Sequence, residues 1–289
     1  YFHILLIVSL YFKYYQPVLL RDLFNCVKRT FTQANAPLKL SYDEFSIRML
    51  EKLRINGEIS GVMLDDEELI GFMLHSRAYF QGIDTIYNGG TGIVPAYRGK
   101  GIIQKIYKNL LPRLKESGAN RILLEVITTN LSALKLYEFM GFQKKRLLHC
   151  FRGFVPLDLG LNNLIYRETQ DFNLDRFNSF VDFSPSFLDA NDRLNSNWKY
   201  EKLIESYQGQ NLIGYVIFQK HLGMVSQLGV RKEYRRQGVG RALLQYVQKD
   251  CQRSLTLMNV PAKAKGVLQF LGGIGLINNI DQYEMELLL

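Results

Sequence analysis

The chain has 289 residues, too long for one ordinary small domain and comfortable for two. Hydrophobic residues make up 47% and charged residues 22%, with no Pro-, Ser- or Gln-rich tract, which excludes a long disordered or low-complexity protein. The net charge of +9 is scattered, with small knots at Lys144-Lys145-Arg146 and Arg235-Arg236. In the absence of a zinc finger, basic heptad or RNA-binding signature, it suits a polyphosphorylated small molecule rather than nucleic acid. Cys26, Cys150 and Cys251 are odd in number and far apart, which fits a reduced, cytoplasmic chain. The four histidines form no HExxH pattern, so no metal is expected.

In chain order, Tyr1 to Phe12 is almost wholly apolar but shorter than the roughly 20 residues of a membrane span. It lacks the charged flank and small-residue cleavage site of a leader. An extra strand or extension of the first domain is expected, with no stable membrane insertion. Lys13–Gln16 reads as a strand and Val18–Lys28 as a helix. Ser41–Leu53 reads as an amphipathic helix opened by a capping box of Ser41 and Glu44. Strands are expected at Ile59–Leu64 and Leu69–Tyr79, joined by the acidic turn Asp65-Asp66-Glu67, and at Thr85–Val94, where Pro95 breaks the ladder. A long helix over Gly99–Ser117 carries apolar residues at helical spacing. Arg121–Ile127 is a short buried strand, Leu131–Met140 a helix and Phe142–Arg152 a last strand. Residues 153–163 then form a linker, giving domains 1–156 and 157–289.

That division rests on an internal repeat. Leu69-Ile70-Gly71-Phe72 is echoed by Leu212-Ile213-Gly214-Tyr215. Tyr97-Arg98-Gly99-Lys100-Gly101-Ile102 is echoed by Tyr234-Arg235-Arg236-Gln237-Gly238-Val239, and Gly141-Phe142 by Gly275-Leu276. The offsets of 143, 137 and 134 residues describe a domain duplication rather than a solenoid.

The segment Gly92 to Gly101 joins a strand to a helix through glycines. Bare glycine backbone and the positive end of a helix make a site for a pyrophosphate. The spacing fits neither GxxxxGK[ST] nor GxGxxG. It does resemble the signature of the GNAT acyl-CoA N-acyltransferases, Arg/Gln-x-x-Gly-x-Gly/Ala at the start of a helix. The second copy matches through Arg235, Gly238 and Gly240; the first matches at Arg98 and Gly101 but has Ile103 last. Asn130-x-x-Ala133-x-x-x-Tyr137-x-x-x-Gly141-Phe142 after Leu124-Glu125-Val126 resembles the second half of such a domain. It is especially similar to the ribosomal-protein alanine N-acetyltransferases. The resemblance implies two tandem α/β (α+β) domains, each a mixed, mostly antiparallel sheet flanked by helices. It implies coenzyme A, as acetyl-CoA, held by Ile93, Val94, Arg98, Gly99, Lys100, Gly101 and Asn130. In the second copy the corresponding residues are Leu228, Val230, Arg235, Arg236, Gln237, Gly238, Val239 and Gly240.

Acyl transfer from a thioester to an amine needs a base for the ammonium, support for the oxyanion and a proton for the departing thiolate. Glu125 is the candidate base, because a carboxylate inside an apolar strand is costly to bury unless it faces a cleft; a solvent-facing or Arg-paired Glu is the other reading. Tyr137 alone reads as a core residue of an amphipathic helix, but the resemblance makes it the acid. Asn130 would hold the pantetheine arm, or cap its helix, or both. Counting back from Asn259 puts Ser254 at the Glu position of the second copy, and counting back from Gly275 puts Leu271 at the Tyr position. The chain is therefore expected to acetylate a primary amine by direct attack in its first copy. The competing reading is a catalytically silent acyl-CoA-binding or regulatory protein, and a basic nucleic-acid binder stands third.

Overall fold

Alternating and apolar runs become strands, and stripes of 3.6-residue period become helices, over the residues that the computed structural model describes: 10–32, 40–157 and 164–289. By mutual contact the chain divides into two units, Tyr1–Leu124 with Glu286–Leu289, and Glu125–Met285. Residues 1–9, and most of the expected linker, lie outside the described residues.

Unit 1 holds β1 (Leu10–Tyr14), α1 (Leu20–Phe31), α2 (Tyr42–Ile47), β2 (Gly61–Asp65), β3 (Glu68–Phe80), β4 (Ile83–Ile93), α3 (Ile102–Glu116) and the start of β5 (Arg121–Ile127). Strand order is β1-β2-β3-β4-β5, antiparallel except for the parallel β4–β5 pair. The first strand sits earlier than Lys13–Gln16, because Tyr15 leaves the ladder to be buried and donates its N–H to Ser60 O. The capping box is formed: Glu44 N–H donates to Ser41 Oγ at 3.2 Å and Ser41 N–H to Glu44 Oε2 at 2.8 Å. The helix expected over Ser41–Leu53 does not stay α throughout. Arg48–Lys52 widens into a π turn, closed by Leu53 N–H on Arg48 O, and Met49, Lys52 and Leu53 are all buried there. Ile102, Ile103, Ile106, Leu110 and Leu114 form the buried stripe of α3.

Arg121 anchors one end of this sheet. Its guanidinium donates to Thr85 Oγ1 and Phe80 O and pairs with Glu286 at 3.0 Å, while Leu289 N–H donates to Asn120 O. These partners satisfy a cation that would otherwise be expensive to bury.

Unit 2 holds the rest of β5, α4 (Leu131–Phe139), β6 (Gln143–Gly153), β7 (Ile165–Thr169), α5 (Asn191–Ser196), β8 (Lys202–Gln208), β9 (Asn211–Gln219), β10 (Met224–Val230), α6 (Val239–Cys251), β11 (Leu255–Pro261), α7 (Lys265–Gly273) and most of β12 (Ile277–Leu288). Its strands run in the order β12-β6-β11-β10-β9-β8-β7, with β10 and β11 parallel. Period-2 alternation divides the sheet between two cores. Ile204, Val216 and Phe218 pack in one cluster with Val239, Leu243 and Val247 of α6, while Leu203, Tyr215 and Ile217 pack in the other with Leu174, Phe177 and Phe180. Where a linker is expected, Val155 N–H donates to Gln248 Oε1 and Pro156 O accepts from Gln245 Nε2, so these residues are fixed to α6. Among the described residues no helix is long and apolar enough to cross a membrane, and no group of three or more His, Cys, Asp or Glu could hold a metal ion.

His75 in β3 is 1% exposed, donates Nδ1–H to Ile59 O at 2.6 Å, and is pushed by burial from 6.5 down to about 4. Its folded pKa lies below the unfolded one, so acid protonates the unfolded chain first. This contribution is complete above about pH 6.5 and is lost as pH falls toward 4, about 3 kcal/mol in all. Urea midpoints measured from pH 7.5 to 4 should therefore flatten in His75→Gln; an unchanged slope would assign the acid sensitivity to other groups.

Candidate active site

In unit 1, β4 and β5 pair only at Thr85↔Arg121, Ile86↔Ile122 and Tyr87↔Leu123, after which β4 runs on to Ile93 without β5 beside it. The β3–β4 register steps from Leu74↔Gly90 to His75↔Asn88, leaving Gly89 as the extra residue of a bulge where the parallel ladder stops. Leu53 fills the space beside it: a Cβ on Gly89 would lie 2.1 Å from Leu53 Cδ1. Past β4, a 3-10 turn at Pro95–Tyr97 leads to Gly101, which caps α3 at φ 69°. That left-handed conformation is strained for any residue with a Cβ. Among the described residues, the N–H groups of Gly99, Lys100, Gly101, Ile102 and Ile103 have no backbone acceptor, as the first turn of a helix dictates. Arg98 is exposed, yet its Nη2 donates to Thr30 O of α1 at 2.8 Å. The Lys100 ammonium lies 5.1 Å from the centre of the Tyr97 ring, and Ile103 is buried.

Unit 2 repeats this arrangement. The β10–β11 pair is confined to Met224↔Thr256 and Val225↔Leu257, and Ser226 is the extra residue of a bulge at the same offset as Gly89. Gly238 caps α6 at φ 85°, and Arg236 takes the positive φ that Gly99 has in the first copy. The N–H groups of Arg236, Gln237, Gly238, Val239 and Gly240 have no backbone acceptor among the described residues. Arg235 again serves as a brace, donating to Val230 O and Phe180 O and pairing with Asp182 at 2.5 Å. Phe180 O also accepts from Val230 N–H, so the segment before α5 is tied to the end of β10. A Cβ on Gly240 would come within 3.1 Å of Phe270 Cζ in α7.

Between these elements lies a cleft of about 1120 Å³. Leu228, Val230, Tyr234, Gly238, Gly240, Met258, Asn259 and Phe270 are among its walls. Arg235, Arg236, Arg241, Lys263 and Lys265 gather at it, whereas Asp189, Ser226 and Gln227 line it elsewhere. Such a cleft is cationic at the helix N-terminus, apolar along one strand and polar at the bulge, which suits a long ligand with an anionic end.

The Gly92–Gly101 turn belongs to unit 1, while Glu125, Asn130 and Tyr137 belong to unit 2. Glu125 is half-buried in β5. Asn130 caps α4, its Oδ1 accepting from Ala133 N–H at 3.2 Å and from Ser132 Oγ. Tyr137 is 8% exposed, with its ring edge-on to Phe142 at 5.6 Å. Burial raises the pKa of the nearby Cys150 thiol, and the negative charges of Glu125 and Asp281 add to that rise.

Counting from Asn259 misaligns the second copy. β5 and β11 match end to end at an offset of 134, as do α4 and α7. Glu125 therefore corresponds to Asn259 and not to Ser254, which precedes β11 and accepts from Arg152 Nε. Asn130 corresponds to Ala264, which caps α7 without a side-chain bond, and Tyr137 to the fully buried Leu271. The strand length was the missing signal, since Asn259 resembles Asn130 in type alone. Sequence reasoning also missed both bulges and Phe270.

The model of the acetyltransferase (GNAT) family matches residues 20–142, and that of a GNAT acetyltransferase domain matches residues 201–270, together about two thirds of the chain. N-alpha-acetyltransferase 30 of Schizosaccharomyces pombe is 33% identical over 93 residues, which is 32% of this chain and 62% of that protein; the chain thus spans less than two thirds of its relative's length. The crystal structure of a GCN5-related N-acetyltransferase from Sphaerobacter thermophilus is similar at a TM-score of 0.73 and 15% identity, over 96% of this chain and 95% of the other. A tandem GNAT protein from the clavulanic acid biosynthesis pathway is similar at 0.71 and 10% identity, over 97% and 98%. At these identities the structures speak for the fold. The ribosomal-protein-S18-alanine N-acetyltransferase from Escherichia coli matches only in part, at a TM-score of 0.40 and 16% identity over 48% of this chain and 81% of the other. Two family matches on a duplicated strand–bulge–turn–helix frame lead to one conclusion: the chain belongs to the GNAT acetyltransferase family, as a tandem of two GNAT domains with an α/β fold.

Proposed function

We propose that this chain, as domains 1–156 and 157–289, transfers an acetyl group from acetyl-CoA to a primary amine by direct attack, with the chemistry in its first copy. The observation that carries this reading is the match of β5–α4 to β11–α7, which makes the first copy alone the bearer of a carboxylate, a side-chain cap and a phenol. Glu125 takes a proton from the ammonium, a backbone N–H at the opened strand supports the oxyanion, and Tyr137 returns a proton to the departing sulfur. The N–H groups of the Gly99–Gly101 turn hold the pyrophosphate, Asn130 holds the pantetheine arm, and Arg98 fixes the turn to α1. Ile103 is compatible with this assignment because its side chain is buried and the phosphate is met by backbone.

With an amine panel and acetyl-CoA, Tyr137→Phe should lower kcat about ten- to a hundredfold and leave the Kd for acetyl-CoA nearly unchanged. Glu125→Gln should add a change in the acid limb of the pH profile. Lower thermal stability with undiminished kcat would make Tyr137 a core residue instead, and no turnover with any amine would leave a silent acyl-CoA-binding protein.

The second turn is proposed to bind coenzyme A as well. Gly240→Ile forces a branched side chain against Phe270 and narrows the cleft, so titration calorimetry on the full chain should show one class of site fewer than the parent. Unchanged stoichiometry and affinity would remove coenzyme A from this cleft.

A further inference from the structure

The second copy lacks a counterpart of the Glu125–Tyr137 pair, yet a carboxylate of different origin lies buried behind Ser226, a residue of its cleft. Glu201, immediately before β8, is 6% exposed, and its Oε2 accepts from Ser226 Oγ at 3.0 Å. Its Oε1 accepts from Gln219 Nε2 at 2.6 Å and from Asn197 Nδ2 at 3.4 Å, which fixes the orientation of the carboxylate. Ser226 is the bulge residue of β10, lies where the β10–β11 ladder ends, and lines the cleft. In the first copy that position is Gly89, which carries no side chain and is closed off by Leu53.

The distance along the strand gives Ser226 its meaning. A ligand with its phosphates at the Gly238 turn, lying along β10, passes Val230 and Leu228 before reaching the bulge. From Val230 back to Ser226 is four residues, about 13 Å of extended strand. The acyl end of a coenzyme A thioester would come to rest where the strands part, beside the Ser226 hydroxyl.

We infer that the second cleft is a separate amine-acetylating site in which Ser226 relays a proton from the acceptor ammonium to Glu201. The ammonium gives one proton to Ser226 Oγ as the hydroxyl proton moves to Glu201 Oε2. The free amine then adds to the thioester carbon, forming the C–N bond of a tetrahedral adduct whose collapse breaks the C–S bond. A second N–H proton of the tetrahedral adduct goes to the departing sulfur, since Leu271 supplies no acid, and Glu201 returns its proton to solvent through Ser226. The inference rests on the proposed binding of acetyl-CoA at the second turn; it needs neither Glu125 nor Tyr137.

The test uses the full chain carrying Glu125→Gln and Tyr137→Phe, with acetyl-CoA and the amine panel, and reads thiol release and acetylated amine together. Residual turnover is expected. Adding Ser226→Ala should reduce its kcat about tenfold or more without changing the Kd for acetyl-CoA. Ser226→Thr should restore it, and the isosteric Glu201→Gln should abolish the acid limb of its pH profile at unchanged Tm. Residual turnover that ignores Ser226→Ala, or its complete absence in a background whose parent is active, overturns the inference while leaving the first site standing. Full activity in the Glu125/Tyr137 background that disappears with Ser226→Ala would instead support the second site and refute the first.

Discussion

Two parallel strands that stop pairing early are the constraint on which the molecule is organised. A β-ladder that ends inside a sheet leaves strand edge without a neighbouring strand, and such an edge is unfavourable unless surrounding structure keeps it open. Each copy solves this locally in the same way. A bulge at Gly89 or Ser226 bends the strand as the ladder ends, and a left-handed glycine turns the chain into α3 or α6. An arginine then ties the turn to a carbonyl of an earlier segment, Thr30 O in one copy and Phe180 O in the other. The signature arginine thus serves geometry first, and the run of N–H groups without backbone acceptors follows from the turn it holds in place.

The two copies have kept this frame and diverged in what they attach to it. Where the first has Glu125, Asn130 and Tyr137, the second has Asn259, Ala264 and Leu271. Where the first closes its bulge with Leu53 over a glycine, the second places a hydroxyl backed by a buried carboxylate. Frame and attached groups vary independently because the frame depends on backbone conformation and core packing, whereas these groups are single side chains.

Much of the frame was legible in the sequence because it rests on local chemistry. Pro95 ends its strand, Ser41 and Glu44 cap their helix, and Arg121–Ile127 is a strand over the whole expected span. The repeat offsets alone place the second turn at a helix N-terminus, where Gly238 caps α6. The bulges were not legible, because register is a property of paired strands, and nothing in Gly89 or Ser226 alone announces an unpaired residue. The π turn at Arg48–Lys52 follows from burying Met49 and Leu53 together, which is a tertiary demand. The mistaken alignment of Asn259 with Asn130 has the same origin: residue type was matched where position within the strand decides.

The Arg121–Glu286 pair has a consequence in time. Unit 1 joins residues up to Leu124 with Glu286–Leu289, so during synthesis its sheet end is satisfied only after those four residues have been made. Until Glu286–Leu289 emerge, the guanidinium of Arg121 lacks its carboxylate and Asn120 O lacks the Leu289 N–H, a deficit of a few kcal/mol for a partly buried cation. Of the two units, the one begun first is thus the one completed last. Loss of Glu286–Leu289 would injure unit 1, whose other residues lie far earlier in the sequence.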